Sequence, residues 1–358
     1  MCMCTTLLLF ALVAAASGAV RYYVPVLSLL AEAFGTLVLV GWGCQKSAAF
    51  IRRRLFGRIL DSAGKAVLIT GCDTGFGNLL TRKLATKGYH VYAGCLFSNG
   101  GGAQELASIS NVTVLQLNVT KEDEIDAAYE AVKRSLGHNV LWAVVSNAGT
   151  LNVGFIEWQS TKTIRTDFEV SVLGAVNVSK KFMPLLKKSR GRLLFVSSIA
   201  AHFTGPGSVV YSMCKHAISS LAEGLRRECQ RYGVQVCSIE PAGYRTALND
   251  PSVLLERMKA DLKNVPQEAL SSFSAHDYSV FTVSLDWALN MTLSKKIDAV
   301  INTMALSIEE SHPRAVYSVG SVKDQIVVKI MQTLPTEWLD AMFALQWKLI
   351  ELRMSIYK

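Results

Sequence analysis

From Lys65 onward the chain alternates short apolar, β-branched runs with helical segments, and few architectures accept that rhythm. KAVLIT (Lys65–Thr70) runs into a glycine-rich turn, and TRKLATKG then reads as a helix closing at Gly88. HVYAGCL is a second strand, VTVLQLNV a third and LWAVVSNAG a fourth. EDEIDAAYEAVKRSL lies between the third and fourth as a helix with acidic residues in its first turn. RLLFVSS is a fifth strand, following a helix that ends near Lys188, and VQVCSIEPAG a sixth, following a helix from Tyr211 to Tyr232. Strands that are apolar throughout and joined by helices imply a parallel sheet buried on both faces. The fold class is therefore α/β, a doubly wound, Rossmann-like nucleotide-binding fold. After Pro241 the pattern is mostly helical, with alternations too weak for a second domain.

The residues ahead of Lys65 have a different texture. Two apolar stretches, Met3 to Val20 and Val24 to Trp42, are each close to the ~20 residues that cross a bilayer core. A secretory signal peptide is the rival reading of the first, although no cationic region precedes it. The chain of 358 residues carries a formal net charge of +9. Before Lys65, six cations (Arg21, Lys46, Arg52, Arg53, Arg54, Arg58) face two anions (Glu32, Asp61), so +4 of that total adjoins the apolar segments. A juxtamembrane cluster explains this better than a nucleic-acid face, and positive flanks place the following domain on the cytosolic side. The expected organisation is a membrane anchor over 1–45, a basic linker over 46–64, a catalytic domain over 65–320 and a helical extension over 321–358. Four sequons begin at Asn111, Asn118, Asn177 and Asn290. Three fall beside a core strand or within a helix and read as chance matches. Eight scattered cysteines form no CxxC, and no His/Cys cluster resembles a metal site.

The first strand leads into Thr70-Gly71-Cys72-Asp73-Thr74-Gly75-Phe76-Gly77, a TGxxxGxG turn. Here the backbone must turn sharply and approach a pyrophosphate, which excludes side chains at Gly71, Gly75 and Gly77 and aims the next helix's amides at the phosphates. The second strand ends in Gly94-Cys95-Leu96-Phe97, with no cation for a 2′-phosphate, which favours NAD over NADP. Asn118, ending the third strand, is either a partner for the adenine amine or an ordinary strand-end turn residue.

Tyr211 and Lys215 lie four apart on one face of a helix, and Ser198 closes the fifth strand thirteen residues before Tyr211. Ligands in open α/β sheets bind at that carboxyl edge. A general acid/base is needed at an alcohol oxygen while hydride leaves its carbon for a nicotinamide. A phenol with an ordinary pKa of about 10 becomes more acidic beside an ammonium group, and the serine hydroxyl can orient the same oxygen.

TGCDTGFG, Ser146-Asn147-Ala148-Gly149, the serine pair before YSMCK, and EPAGYRT together resemble the short-chain dehydrogenase/reductase superfamily. The TGCDxGFG turn and HPRAVYSVG resemble its branch of retinol dehydrogenases, type 2 17β- and 11β-hydroxysteroid dehydrogenases and D-β-hydroxybutyrate dehydrogenase. That resemblance covers Lys65 to the C-terminus. It implies cofactor contacts at Gly71, Asp73, Thr74, Gly75, Phe76, Gly77, Asn118, Asn147, Ala148, Gly149, Tyr211, Lys215, Pro241, Gly243 and Thr246, and catalysis by Ser198, Tyr211 and Lys215. It also implies a membrane location, in the endoplasmic reticulum, and a steroid- or retinoid-like lipophilic substrate. A small hydroxy acid and a catalytically weak scaffold that keeps cofactor binding are the alternatives. Three positions depart from the family pattern: Ser146 for the first Asn of NNAG, Ser171 for the Asn of a catalytic tetrad, and Ala242 for the Gly after Pro241. Near the C-terminus Trp338, Leu339, Met342, Phe343, Leu345 and Trp347 form an apolar face at near-helical spacing. It serves core packing, a homodimer contact, or an interfacial helix that guides substrate from the bilayer.

Overall fold

A computed structural model describes residues 57–356 continuously, with isolated positions before them. The chain divides into two compact units, Met1–Ile59 and Leu60–Lys358. Apart from those isolated positions, the expected anchor segments and the cationic run Arg52–Arg54 lie outside the described residues. Among the described residues no helix is long and apolar enough to cross a membrane.

The second unit is built on seven parallel strands in the order β3-β2-β1-β4-β5-β6-β7. These are β1 (Lys65–Thr70), β2 (His90–Cys95), β3 (Val112–Gln116), β4 (Val140–Ser146), β5 (Arg192–Val196), β6 (Gln235–Pro241) and β7 (Val316–Val319). Chain direction across the sheet reverses at β1 and β4, which opens a crevice beyond their carboxyl ends. Helices α1 (Gly75–Thr86), α2 (Gly101–Ala107), α3 (Glu122–Ser135), α4 (Thr161–Phe168), α5 (Gly174–Ser189) and α6 (Val209–Cys229) fill the connections through β6. After β6 come α7 (Pro251–Leu262), α8 (Gln267–Leu270), α9 (Ala275–Thr292) and α10 (Asp298–Glu309), and after β7 come α11 (Val322–Thr333) and α12 (Thr336–Ile356).

Strand side chains feed two cores because successive residues point to opposite faces. Val67, Ile69, Val91 and Val145 pack with Leu80 and Leu84 of α1 and with Val300, Met304 and Ile308 of α10. Leu68, Tyr92, Val144 and Phe195 pack with Val132 of α3, Phe182 of α5 and Ile218 of α6. In α3 the buried residues Ile125, Ala128 and Val132 follow helical spacing. Glu122, Asp123 and Glu124 open that helix, and Lys133 and Arg134 close it, which suits its dipole at both ends.

One element was not legible in the sequence. The stretch Val316–Val319, inside HPRAVYSVG, extends the sheet with a seventh strand paired to β6 from Ser238↔Val316 to Pro241↔Val319. Only Tyr317 and Val319 are buried, so this edge strand lacks the all-apolar signature of its neighbours.

Candidate active site

The glycine turn is closed against β4. Gly71 has φ +70°, and a Cβ there would lie 2.9 Å from the Ala148 Cα; one on Gly77 would lie 2.3 Å from the Gly71 carbonyl oxygen. Side chains are excluded at both positions by backbone, as the turn requires. Two polar groups bolt the arrangement. The Thr70 hydroxyl accepts from the Asn147 and Ala148 amides at 3.1 and 3.0 Å. The Asn147 side chain donates to the Thr70 and Gly71 carbonyls at 2.8 and 3.0 Å. Gly75 begins α1, so the free amides of that helix's first turn open on the cleft, where Thr74, Gly75 and Phe76 form the wall.

Asp73 takes a place that its motif does not reveal. Its carboxylate accepts from the Leu96 and Phe97 amides, both at 2.9 Å, and so fixes the loop leaving β2. Asn118 lines the cleft while its side-chain oxygen accepts from the Thr120 amide and hydroxyl at 3.0 and 2.8 Å. That is a turn residue's bonding.

Ser198, Tyr211 and Lys215 meet at the carboxyl edge of β5. Ser198 caps a short 3-10 turn and accepts from the Ala200 amide at 3.1 Å. Tyr211 lies in the first turn of α6, and Lys215 one turn later is 7 % exposed. The lysine ammonium donates to the Val196 carbonyl at 3.0 Å and lies 5.5 Å from the centre of the Tyr211 ring. Burial pulls the lysine down from 10.5 to about 8. Burial also pushes the Tyr211 phenol above its ordinary value, against the lowering effect of the Ser198 hydroxyl beside it. The Ser197 hydroxyl donates to the Lys215 carbonyl at 3.1 Å, which ties α6 to β5 and holds the pair in place.

These residues and the glycine turn share one cleft of about 350 Å³. Of the positions expected from sequence, Gly71, Asp73, Thr74, Gly75, Phe76, Asn118, Asn147, Ala148, Gly149, Ser198, Tyr211, Lys215, Pro241 and Thr246 line it. Gly77, Ser171 and Gly243 stand behind the lining. Gly243 packs on the end of α9, where a Cβ would lie 2.9 Å from the Thr292 carbonyl. Ser171 sits in a π turn, Glu169–Leu173, and accepts from the Thr150 amide at 3.1 Å. Ser146 is buried in β4, and the Ala242 amide donates to the Val319 carbonyl at 2.7 Å, joining the loop after β6 to β7. Thr246 is held through Asn249, whose side-chain oxygen accepts from its amide at 2.9 Å and its hydroxyl at 3.0 Å.

Sequence reasoning missed several neighbours. Thr150, Tyr244, Asn249 and Arg257 line the cleft, and Asp167 lies buried behind Thr150. Arg257 gave no signal, being one cation in an amphipathic helix. Asp167 gave one: it precedes Ser171 by one helical turn.

The arrangement has counterparts among known proteins. Residues 65–256 match the family model of short chain dehydrogenases. The chain is 32 % identical over 319 residues to 17-beta-hydroxysteroid dehydrogenase type 6 of Bos taurus, covering 89 % of this chain and 96 % of that one. It is likewise 32 % identical over 311 residues to retinol dehydrogenase 16 of Rattus norvegicus, covering 86 % and 95 %. A short chain dehydrogenase/reductase of Burkholderia phymatum, solved in complex with NAD, superposes with a TM-score of 0.61 at 19 % identity over 76 % of this chain and 94 % of that one. With its parallel sheet, its glycine turn and a family match spanning more than half its length, the chain belongs to the short-chain dehydrogenase family of oxidoreductases.

Proposed function

We propose that the protein is a membrane-associated, NAD-dependent alcohol dehydrogenase acting on a lipophilic, steroid- or retinoid-like alcohol or its carbonyl counterpart. The observation that carries this reading is the convergence of Ser198, Tyr211 and Lys215 on the same cleft as the glycine turn. The residues present fit a dinucleotide. A backbone-walled turn and the first turn of α1 would hold its pyrophosphate. At the end of β2 the Asp73 carboxylate is fixed and no cation lines the cleft there, which favours a ribose hydroxyl over a 2′-phosphate. Bound there, the nicotinamide supplies the hydride acceptor or donor.

The remaining chemistry belongs to side chains. Tyr211 accepts the proton of the substrate hydroxyl in oxidation and returns it in reduction. Ser198 holds the same oxygen, and its hydroxyl opposes the upward push of burial on the phenol. Lys215 stabilises phenolate by its charge at neutral pH, since its proton is retained below about 8.

The relatives named for steroids and retinol support a lipophilic substrate. So does α12, where Trp338, Leu345, Leu349 and Leu352 are more than half exposed while Phe343 and Trp347 face a cavity shared with Phe281 of α9. A helix that exposes apolar side chains beyond those it packs inward suits a membrane interface. We keep the division into anchor 1–45, linker 46–64, catalytic domain 65–320 and extension 321–358, with the endoplasmic reticulum as the host membrane; β7 ends at Val319, at the third of those boundaries.

The test is turnover. Purified protein with NAD should oxidise members of a panel of steroid alcohols and retinol, and Tyr211→Phe should abolish that activity while NADH still binds. Oxidation of 3-hydroxybutyrate alone would overturn the substrate class. NADH binding without turnover of any member would leave the scaffold reading standing.

A further inference from the structure

Behind the cleft lies a buried acid that the reaction described above does not use. Asp167, near the end of α4, is 2 % exposed. One carboxylate oxygen accepts from the Asn152 amide at 2.8 Å, and the other is buried with no partner. A buried oxygen with no donor is costly and invites a functional explanation. Burial pushes this carboxyl above the usual aspartate range, with the Thr150 and Asn152 side chains opposing it. The charged groups facing it are Arg257 and Asp261 of α7, and Cys214 of α6 is its thiol neighbour. Burial keeps that thiol neutral, at about 11.

Thr150 connects Asp167 to the catalytic lysine. Its hydroxyl stands beside the Asp167 carboxyl and 3.4 Å from the Ser171 hydroxyl, whose oxygen also receives the Thr150 amide. Ser171 and Lys215 then face one side-chain-free space: the position of a Cβ on Gly149 is 3.6 Å from the Ser171 Oγ and 3.8 Å from the Lys215 Nζ. Proton-carrying groups thus run from Tyr211 through Lys215, Ser171 and Thr150 to Asp167.

We propose that Asp167 is the acid–base terminus of a proton wire, Lys215–Ser171–Thr150–Asp167, which serves Tyr211 during alcohol oxidation. The inference rests on the dehydrogenase reading. Tyr211, having taken the substrate hydroxyl proton, passes it to Lys215 once that ammonium has shed a proton of its own. Lys215 gives up one of its own protons through water beside Gly149 to Ser171. Ser171 passes its hydroxyl proton to Thr150, and Thr150 passes its own to the unpartnered Asp167 oxygen. Each hydroxyl loses one proton and gains one, no electrons move along the wire, and the net change is one proton from substrate to the Asp167 carboxylate. Reduction runs the same path backwards.

Asp167→Asn keeps the shape and an acceptor for Asn152 but cannot take up a proton. The expected result is a fall in kcat for alcohol oxidation of about tenfold or more, with KM and NADH affinity within about twofold. The solvent deuterium isotope effect on kcat should rise. Thr150→Val interrupts the wire without altering the acid and should reproduce the kcat loss. Independently of turnover, an infrared pH titration of the cofactor-free protein should show a carboxyl C=O band titrating above the ordinary aspartate range in wild type, and Asp167→Asn should lack it. An active wild type whose kcat, isotope effect and pH profile survive both substitutions overturns the wire alone. A wild type lacking any such infrared band also overturns it. An inactive wild type overturns the wire and the dehydrogenase reading together.

Discussion

At the scale of single residues, the site is a place where function opposes stability. Lys215 is buried, and its pKa falls from 10.5 to about 8 because the charged form loses hydration. The folded state therefore binds fewer protons than the unfolded chain between those values, so folding stability rises with pH across that window. Below pH 8 the lysine is charged in both states and the whole penalty is present, about 3 kcal/mol for such a shift. Lys215→Met should raise Tm at neutral pH, less whatever follows from leaving the Val196 carbonyl without its donor, which costs about 1–3 kcal/mol. The advantage should shrink as pH climbs to 10.5, while oxidation activity is lost throughout. Thermal melts of both proteins at several pH values check the sign; an advantage that grows with pH refutes it. The meeting of Ser198, Tyr211 and Lys215 in one cleft was legible because residues four apart share a helix face and the close of β5 brings Ser198 to the same edge. Thr150 was not, because its partners are brought together by β4, α4 and the π turn; Asp167 showed only its helical spacing to Ser171, and no short pattern links residues 150, 167 and 215.

Secondary-structure elements were legible in proportion to their burial. The six apolar strands showed because both their faces are covered, and α3 showed by its periodicity and its charged ends. β7 did not, having two buried residues and a single neighbour in the sheet. The tightness of the β1–α1 turn was readable, but its mechanics were not. Gly77 does not line the cleft: it is glycine because α1 must pass over the Gly71 carbonyl and the Asn147 amide, 2.3 and 2.7 Å from where a Cβ would stand. The first of these is backbone and cannot yield without displacing the cradle. Gly77→Ala should therefore move the start of α1 away from β4, costing about 1–3 kcal/mol in stability and at least about tenfold in NADH affinity. Fluorescence titration and chemical denaturation measure the two. Unchanged affinity would mean that the turn tolerates the methyl group elsewhere and that the cradle is not set by this contact.

For the molecule as a whole, the proposed membrane association implies a side on which the second unit stands, and the sequons supply a reporter. Asn111 cannot serve, because its side-chain nitrogen donates to the Ala85 and Tyr89 carbonyls at 2.8 Å each within the fold. Asn118 lies in the cleft and Asn177 in the middle of α5. Asn290 differs. It is exposed on α9, its side chain meets the surface Arg245 at 3.2 Å, and Met291 and Thr292 complete an acceptor sequence. A catalytic unit delivered to a glycosylating lumen would present this asparagine to the transferase, whereas one held on the cytosolic side by Lys46 and Arg52–Arg54 would never meet it. The expected outcome for the full chain in sealed microsomes is no mobility shift on glycosidase treatment and digestion of the second unit by protease added from outside. The six buried or exposed thiols described, Cys44, Cys72, Cys95, Cys214, Cys229 and Cys237, are all unpaired, as a reducing compartment allows. A glycan on Asn290, or a protected second unit, would place the cleft on the lumenal side and require that the positive flank be overridden by the segments that precede it.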